Sequence, residues 1–351
     1  MLPQPQLRRD PLSGRWAIIA PERAARPHSA GHRPTPRRDG DHEFPCPFCP
    51  GQEEQTPPAV LVYPASVPPT HQAGLPGTTP TLPWRVRVVP NRYPAVRPEA
   101  SWPYCLVDGP WVAAPAAGRS EVVIETPLHL ADPGQLPVAD LADVFRAYRD
   151  RLLALAAEGW AYAAVFKNVG AEAGASLVHT HSQIITLPLI PPLALQQSEI
   201  ARHHFQRTGQ CLICTLVESE IRSAERLISD SRRFAVLTAY APRFPYELWL
   251  VPRSHLSRFE DLDDQALLEL AGLWKRVLAA VDAVCDQPAY NWILHTAPWG
   301  LAATEWFHWR LELLPRLAQP AGLEWGFGCF ICSVVPEHAA AQLRDALPPS
   351  G

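Results

Sequence analysis

The feature that most constrains the fold is an internal repeat, in which the same series of elements occurs twice along the chain. Each copy has a Cys-x-x-Cys pair, strand-like runs that lead to a histidine, a helix-like stretch, and a last strand-like run with another histidine. The helix-like stretches are Val138 to Ala156 and Asp263 to Val284. A repeat of this kind indicates two copies of one supersecondary unit. We therefore expect an α+β fold built as a tandem duplication, in which each unit is an antiparallel sheet crossed by a helix.

The repeat also divides the chain into a first unit over residues 1–195 and a second unit over residues 196–351. The two histidines of each copy are separated by nearly equal intervals, but the segment between the Cys pair and the first histidine is much longer in the first copy. The first unit therefore carries an insertion, in a proline-rich region that is typical of loops and turns.

The cysteine pairs point to metal binding. In the reducing cytoplasm that we expect for this chain, close cysteine pairs suggest metal or redox chemistry more than disulfides. A Cys-x-x-Cys pair supplies half of a tetrahedral zinc site, and two histidines of each copy supply the other half. We expect two structural Zn²⁺ sites per chain, and cysteines that only pack in the core are the alternative. The predicted ligands are Cys46, Cys49, His129 and His179 in the first unit, and Cys211, Cys214, His255 and His308 in the second.

Other cysteines and histidines fit these sites less well. A third pair, Cys329 and Cys332, has no matching histidines, and we expect it in the core. His203 and His204 are competing ligands for the second site, but their pattern favours a polar helix face.

Alternating polar residues, His179-Thr180-His181-Ser182-Gln183, close the first copy. Alternate side chains of a β-strand share one face, so two imidazoles and one carboxamide are expected on the same side. The preceding segment, Lys167 to Ser176, contains two glycines and is typical of a loop that brings backbone N–H groups close to phosphate oxygens. A lone histidine in a strand is usually a satisfied core residue, but this combination favours a site that handles phosphate.

The stretch from Asn168 to Gln183 resembles the active-site strand of the galactose-1-phosphate uridylyltransferase family, a branch of the histidine-triad superfamily that carries His-x-His-x-Gln. Three more segments are similar to motifs of that family and occur in the same order. They are Asp10 to Pro27, Val88 to Asn91 and Pro336 to Arg344. The resemblance covers nearly the whole chain and implies histidine-triad-like units.

The resemblance also implies a ping-pong nucleotidyl transfer with His181 as the nucleophile. This imidazole would attack the α-phosphorus of a nucleoside diphosphate sugar, and an acceptor phosphate would later collect the nucleotidyl group. Gln183, Ser176 and the backbone at Gly174 are expected to donate hydrogen bonds to phosphoryl oxygens. His179, held by zinc, is expected to orient the strand.

Further site residues are implied by the same resemblance. Arg23, Arg26 and Asn91 are expected to contact nucleotide or phosphate, with surface charge and a turn amide as the alternative. Asn168 and Gly174 are expected to line the substrate site. The expected partners are a nucleotide sugar and a sugar 1-phosphate or phosphate, and the family implies a homodimer.

The second copy lacks the nucleophile. Arg310 stands at the place of His181 and Glu312 at the place of Gln183, whereas His308 keeps the place of a zinc ligand. We therefore expect a catalytically silent second unit.

Two features depart from the usual family pattern. Thr180 and Ser182 stand where the family usually has Pro and Gly, and the segment from Leu323 to Cys332 lacks the usual hexose-binding motif. Both features look more like the ADP-glucose phosphorylase-like branch, which transfers adenylyl groups. The resemblance implies first a transfer of uridylyl from UDP-glucose to galactose 1-phosphate. The alternative is an ADP-sugar phosphorylase or adenylyltransferase with inorganic phosphate as acceptor. Two less favoured functions are a nucleotide hydrolase, against which Gln183 speaks, and a non-catalytic zinc-stabilised binding protein.

Composition adds limits on partners and location. The net charge of −4 and the absence of a basic stripe argue against a nucleic-acid scaffold. The N-terminus has no apolar signal region, and the sequence has no run of 18 apolar residues. We expect a cytoplasmic protein that binds neither nucleic acid nor membrane.

Overall fold

The computed structural model of the protein describes residues 4–25, 45–64, 84–100, 106–301 and 305–349. The predicted phosphate ligand Arg26 lies outside these ranges. The strands are β1 (Gln6–Arg9), β2 (Trp16–Ile19), β3 (Leu61–Pro64), β4 (Trp84–Pro90), β5 (Leu106–Asp108), β6 (Trp111–Ala113), β7 (Ser120–Ile124), β8 (Tyr162–Val169), β9 (His181–Leu187), β10 (Leu227–Asp230), β11 (Phe234–Thr238), β12 (Leu248–Pro252), β13 (Tyr290–His295), β14 (Arg310–Pro315) and β15 (Phe330–Cys332). The α-helices are α1 (Val138–Ala156), α2 (Pro192–Thr208), α3 (Leu212–Ser223), α4 (Asp264–Cys285), α5 (Gly322–Phe327) and α6 (Pro336–Asp345).

Ten strands form one antiparallel sheet in the order β3-β4-β7-β9-β8-β13-β14-β12-β11-β10. The first five strands belong to the first copy, and the other five repeat their arrangement. The copies join where β8 pairs with β13, with Phe166 opposite Ile293. These two residues are also equivalent, because Phe166 lies opposite Gln183 and Ile293 lies opposite Glu312. A pseudo-twofold axis therefore passes between them. The predicted tandem α+β duplication is confirmed, with the two sheets continuous across the junction.

Helices α1 and α4 pack against each other on one face of the sheet and cover the main hydrophobic core. The buried apolar positions of α1 recur at helical spacing, as expected for an amphipathic helix. They include Leu141, Val144, Phe145, Tyr148 and Leu152. Helix α4 begins after Asp263, whose carboxylate caps it by accepting the N–H of Ala266. The bounds of α1 match the prediction, and α4 begins and ends one residue later than predicted.

The opposite face of the sheet carries two smaller cores. Val122 and Val123 of β7 point to opposite faces, and Val122 belongs to a cluster with Phe48 and Ile124. A second cluster lies under α3. The candidate site is built on this face, beside the cluster around Phe48.

The first hairpin packs against the second unit. β1 pairs with β2, and β15 adds to β2 in parallel. Arg8 forms an ion pair with Glu337 of α6 at 2.9 Å, and Arg15 donates to the carbonyl of Ala241 at 3.1 Å. Cys332 is buried in β15, as predicted, whereas its predicted companion Cys329 precedes the strand and is half-buried.

Helix α2 connects the two copies and contains residues 195 and 196, where we place the unit boundary. That division remains a proposal. Among the described helices, none has both the length and the apolar character needed to cross a bilayer.

Candidate active site and metal centres

The first predicted metal cluster comes together beside the end of β7. Cys49 Sγ lies 3.3 Å from His129 Nδ1 and 3.6 Å from His179 Nδ1, and Cys46 Sγ lies 3.7 Å from His179 Nδ1. Zinc binds sulfur at about 2.3 Å and nitrogen at about 2.0 Å, so ligand atoms at these separations fit one tetrahedral ion. The other ring nitrogen of His179 donates to the carbonyl of Thr126 at 2.8 Å, which leaves Nδ1 as the ligand atom.

Burial also suits His179 to metal binding. Burial and, to a smaller extent, the neighbouring His129 and His181 together lower the pKa of His179 to about 4. The imidazole is therefore neutral near pH 7, which is the form that binds metal.

The second predicted cluster repeats this geometry. Cys214 Sγ lies 3.4 Å from His308 Nδ1 and 3.6 Å from His255 Nδ1, and Cys211 Sγ lies 3.9 Å from His308 Nδ1. Here the Cys pair lies in the first turn of α3, and Nε2 of His308 donates to the carbonyl of Pro252 at 3.0 Å. All four ligand atoms of each cluster lie within 4.8 Å of one another. The structure thus brings together both predicted ligand sets, and the competing His203 and His204 belong to neither cluster.

His181 is the first residue of β9, and one of its ring nitrogens has no hydrogen-bond partner among the described residues. Its Nδ1 lies 2.8 Å from the carbonyl of His179, an atom that can only accept, so Nδ1 carries the hydrogen and Nε2 carries the lone pair. Burial lowers the pKa of His181, and the positive charge of Lys167 lowers it further. The result is a neutral imidazole with a fixed tautomer, which is what a nitrogen nucleophile needs.

The predicted strand includes His179, whereas β9 begins only at His181. This detail of the prediction is wrong, because the backbone of Thr180 donates to Leu130 outside the sheet while the ring of His179 turns toward the metal cluster. The shared face is nevertheless confirmed. The ring centroid of Phe48 lies 6.0 Å from that of His179 and 5.2 Å from that of His181.

A buried ion pair lies behind the backbone of His181. Lys167 Nζ and Glu125 Oε2 are 2.7 Å apart, with side-chain exposures of 1% and 0%. The ammonium also donates to Thr180 Oγ1 at 2.7 Å and to the carbonyl of His181 at 2.9 Å. Glu125 accepts from the hydroxyls of Thr180 and Ser182. Burial alone would raise the pKa of Glu125, but Lys167 and these hydroxyls hold it below its usual value.

Thr180 and Ser182, the two departures from the usual family pattern, therefore bind the segment around His181 to this ion pair through their hydroxyls. The sequence motifs do not predict the role of the pair. Its only sequence signal is that Lys167 and Glu125 are opposite charges within or next to otherwise apolar strands.

A cavity of about 330 Å³ opens in front of His181. Its lining includes the predicted residues Asn168, Ser176, His179 and His181. The loop over it contains a short 3₁₀ helix, Ala171–Ala173, between two glycines with positive φ, Gly170 (84°) and Gly174 (86°). L-residues with a side chain rarely adopt such φ values, so the tight loop depends on glycine there. The N–H of Gly174 donates to the carbonyl of Ala171 at 2.9 Å, so in this conformation Gly174 shapes the loop while its own amide is engaged.

The other predicted ligands lie outside this cavity lining. Gln183 is two residues beyond His181 on the same face of β9 and is half-buried. Asn91 directly follows β4, and its Oδ1 accepts the N–H of Tyr93 at 2.9 Å in a turn. Arg23 is exposed on the 3₁₀ helix Pro21–Ala25.

The corresponding place in the second copy is filled by ionic side chains. Arg310 begins β14 as His181 begins β9, and its guanidinium lies over the ring of Trp249. Glu312 accepts from Trp249 Nε1 at 3.0 Å and pairs with Arg243 at 2.7 Å. Because Arg310 stands where the nucleophile would stand, this copy has no imidazole at that position.

Comparison with known proteins identifies the family. A family model described as "Galactose-1-phosphate uridyl transferase, N-terminal domain" matches residues 79–191. ADP-glucose phosphorylase of Arabidopsis thaliana is 32% identical over 97% of this chain and 93% of that protein. The chain belongs to the galactose-1-phosphate uridylyltransferase family. A galactose-1-phosphate uridylyltransferase of Thermotoga maritima is also 32% identical, over 73% of this chain and 82% of that protein.

A solved structure agrees with this family. The crystal structure of the Arabidopsis thaliana ADP-glucose phosphorylase with bound ADP-glucose matches with a TM-score of 0.81 and 31% identity, over 98% of this chain and 99% of that chain. The match confirms the predicted fold along the chain. As a member of the galactose-1-phosphate uridylyltransferase family, the protein is an enzyme of the nucleotidyltransferase class.

Proposed function

We propose that this enzyme transfers a nucleotidyl group through a covalent intermediate on His181. Its Nε2 lone pair attacks the α-phosphorus of a nucleoside diphosphate sugar; the N–P bond forms as the bond to the sugar 1-phosphate oxygen breaks. An acceptor phosphate then attacks the same phosphorus and frees the imidazole. The observation that carries this proposal is the neutral His181 in the wall of a cavity: its Nδ1 donates to a carbonyl, and its Nε2 has no hydrogen-bond partner in the described part of the chain.

The remaining site residues have positioning and electrostatic roles in this proposal. Phosphoryl transfer depends mostly on placement and on hydrogen-bond donors aimed at the phosphoryl oxygens. Ser176 and Asn168 line the cavity and would supply such donors. Gln183, on the same face of β9 as His181, would donate when nucleotide occupies the site. Arg23, Arg26 and Asn91 stay as proposed nucleotide or phosphate contacts.

For the transferred group, we propose adenylyl from an ADP-sugar, with inorganic phosphate as acceptor. The similarity to ADP-glucose phosphorylase extends over 97% of the chain, compared with 73% for the Thermotoga maritima uridylyltransferase at the same identity. Transfer of uridylyl from UDP-glucose to galactose 1-phosphate is the second candidate. The match of the uridylyltransferase family model over the segment that contains His181 supports it.

We also propose Zn²⁺ as the ion of both Cys₂His₂ clusters, because zinc favours tetrahedral sites of thiolate and imidazole ligands. Bound zinc would be structural and, in the first cluster, would fix His179 and with it the start of β9. The homodimer is a proposal that rests on the family resemblance, and the cytoplasmic location is a proposal that rests on the sequence.

The test is incubation with ADP-glucose or with UDP-glucose, followed by intact mass measurement. A gain of one nucleotidyl group with ADP-glucose, absent in His181→Ala, is expected. An adduct that persists in His181→Ala would overturn the proposal. Steady release of nucleoside monophosphate without acceptor would instead indicate a hydrolase, and binding with no adduct would indicate a binding protein.

A further inference from the structure

Asn291 of the second unit contacts the glycine-containing loop of the first unit, Gly170 to Gly174, that lies over the cavity. It lies on β13, directly opposite Asn168 of β8, where the two halves of the sheet join. Its Nδ2 donates to Asn168 Oδ1 at 2.8 Å and to the backbone carbonyl of Ala173 at 2.9 Å. Ala173 closes the short 3₁₀ helix that lies over the cavity. One side chain therefore touches both a cavity residue and the loop.

The carbonyl of Ala173 fixes the direction of both amides. A carbonyl oxygen only accepts, so the atom of Asn291 next to it must be the NH₂ group. The same NH₂ group contacts Asn168, so the contacted atom of Asn168 must be its oxygen. The NH₂ group of Asn168 is then directed away from Asn291 and lies 3.9 Å from the position that a side chain on Gly174 would occupy. Asn168 thus presents donors, not an acceptor, beside the loop.

The site of Asn291 is costly for a polar side chain. The residue is 8% exposed, and its Oδ1 is buried with no hydrogen-bond partner in the part of the chain that the structure describes. A buried polar atom without a hydrogen-bond partner destabilises the folded state. Across the pseudo-twofold axis at Phe166 and Ile293, the position equivalent to Asn291 is Ala164, which has no polar group. The side-chain amide of Asn291 therefore occurs only in the second copy, at the position that contacts the loop over the cavity beside His181.

We propose that Asn291 is a positioning residue for the nucleotidyl transfer: it holds the carbonyl of Ala173 and turns the amide of Asn168 so that N–H groups face the phosphate oxygens. The silent unit in this way orders the loop of the catalytic unit. The inference rests on the proposed function, since it assigns phosphate to the cavity beside His181.

The test compares Asn291→Ala and Asn291→Asp with the wild-type enzyme in single-turnover release of sugar 1-phosphate from saturating ADP-glucose. The alanine variant loses the donor, and a lost hydrogen bond corresponds to a decrease of about tenfold in rate. The aspartate variant places an acceptor against Ala173 and rotates Asn168 so that its oxygen faces phosphate. Its rate should fall by about a further tenfold. The KM for ADP-glucose should change less than the rate.

Thr238→Val is the matched control, because Thr238 is also buried in the second unit and donates one hydrogen bond to a carbonyl, that of Pro336 at 3.0 Å. It should lower the unfolding midpoint as Asn291→Ala does but leave the rate unchanged. In an Asn168→Ala background, Asn291→Asp should lose most of its extra effect. Equal rates for both Asn291 variants and the wild type, or an undiminished aspartate effect without Asn168, would overturn the inference.

A second readout separates this inference from the proposed function. If the wild-type enzyme forms no adduct, the proposed function fails, and binding then decides the role of Asn291. Asn291→Asp should weaken binding of ADP about tenfold while leaving adenosine binding unchanged, because only ADP carries phosphates. Equal weakening for both ligands would show that Asn291 only supports the fold and would overturn the inference.

Discussion

The buried pair of Lys167 and Glu125 makes a quantitative prediction about stability. At 2.7 Å and an effective dielectric constant of about 20, two unit charges attract each other by about 6 kcal/mol, and desolvation of both ions offsets most of it. Removal of one partner leaves the other charge buried and unpaired, which typically costs about 3–5 kcal/mol. We therefore expect Lys167→Met to lower the free energy of unfolding by about 3–5 kcal/mol.

The double variant Lys167→Met with Glu125→Gln should recover most of this loss. No charge remains to be buried, and the amide oxygen of the glutamine can still accept from the hydroxyls that now bind Glu125. Urea unfolding followed by tryptophan fluorescence measures these two variants and the single variant Glu125→Gln. The exposed pair of Arg202 and Glu199 on α2 supplies the control, since Arg202→Met should leave stability nearly unchanged.

Two results would refute this reasoning. One is a loss below about 1 kcal/mol in Lys167→Met, which is the range of an exposed pair. The other is a double variant whose loss equals the sum of the two single losses, because uncoupled groups behave additively.

Two further predictions concern acid and metal. The pKa of Glu125 is lower in the folded protein than in the unfolded chain, so its contribution to stability is present above the unfolded pKa of about 4.3 and is lost as the pH falls through the folded pKa. The double variant should lack this part of the acid sensitivity, and equal acid profiles for the double variant and the wild type would contradict this prediction. Elemental analysis should find that Cys46→Ser and Cys211→Ser each lose one zinc per chain, and unchanged zinc content in either variant would refute the ligand assignment. Only Cys46→Ser should slow adduct formation, because the first cluster includes His179, which lies beside the proposed nucleophile His181.

Local patterns in the sequence were sufficient to predict the repeat units. The apolar spacing of α1 predicts its bounds, and the alternation from His179 to Gln183 predicts the shared face of His179 and His181. The metal ligands could be predicted because each copy repeats two cysteines and two histidines in the same order. In a repeat, the ligands assigned in one copy support the assignment of the matching residues in the other copy, and a single motif offers no such check.

Contacts between distant strands could not be predicted in the same way. Lys167 and Glu125 are 42 residues apart and Asn291 and Asn168 are 123 apart, and both contacts depend on which strands become neighbours. The pairing of β8 with β13 makes one sheet of two units, yet each strand alone looks like an ordinary apolar run. A strand pattern likewise does not encode the contacts that His179, just before the start of β9, makes with Cys46 and Cys49.

The most direct test of the central claim is the location of the nucleotidyl group on the chain. The enzyme is incubated with ADP-glucose or with UDP-glucose, digested under neutral conditions that preserve a phosphorus–nitrogen bond, and mapped by tandem mass spectrometry. A covalent intermediate on His181 predicts one nucleotidyl group per chain, on Nε2 of His181, that disappears when the acceptor phosphate is added. A group found on another residue, or one that the acceptor does not remove, would contradict it.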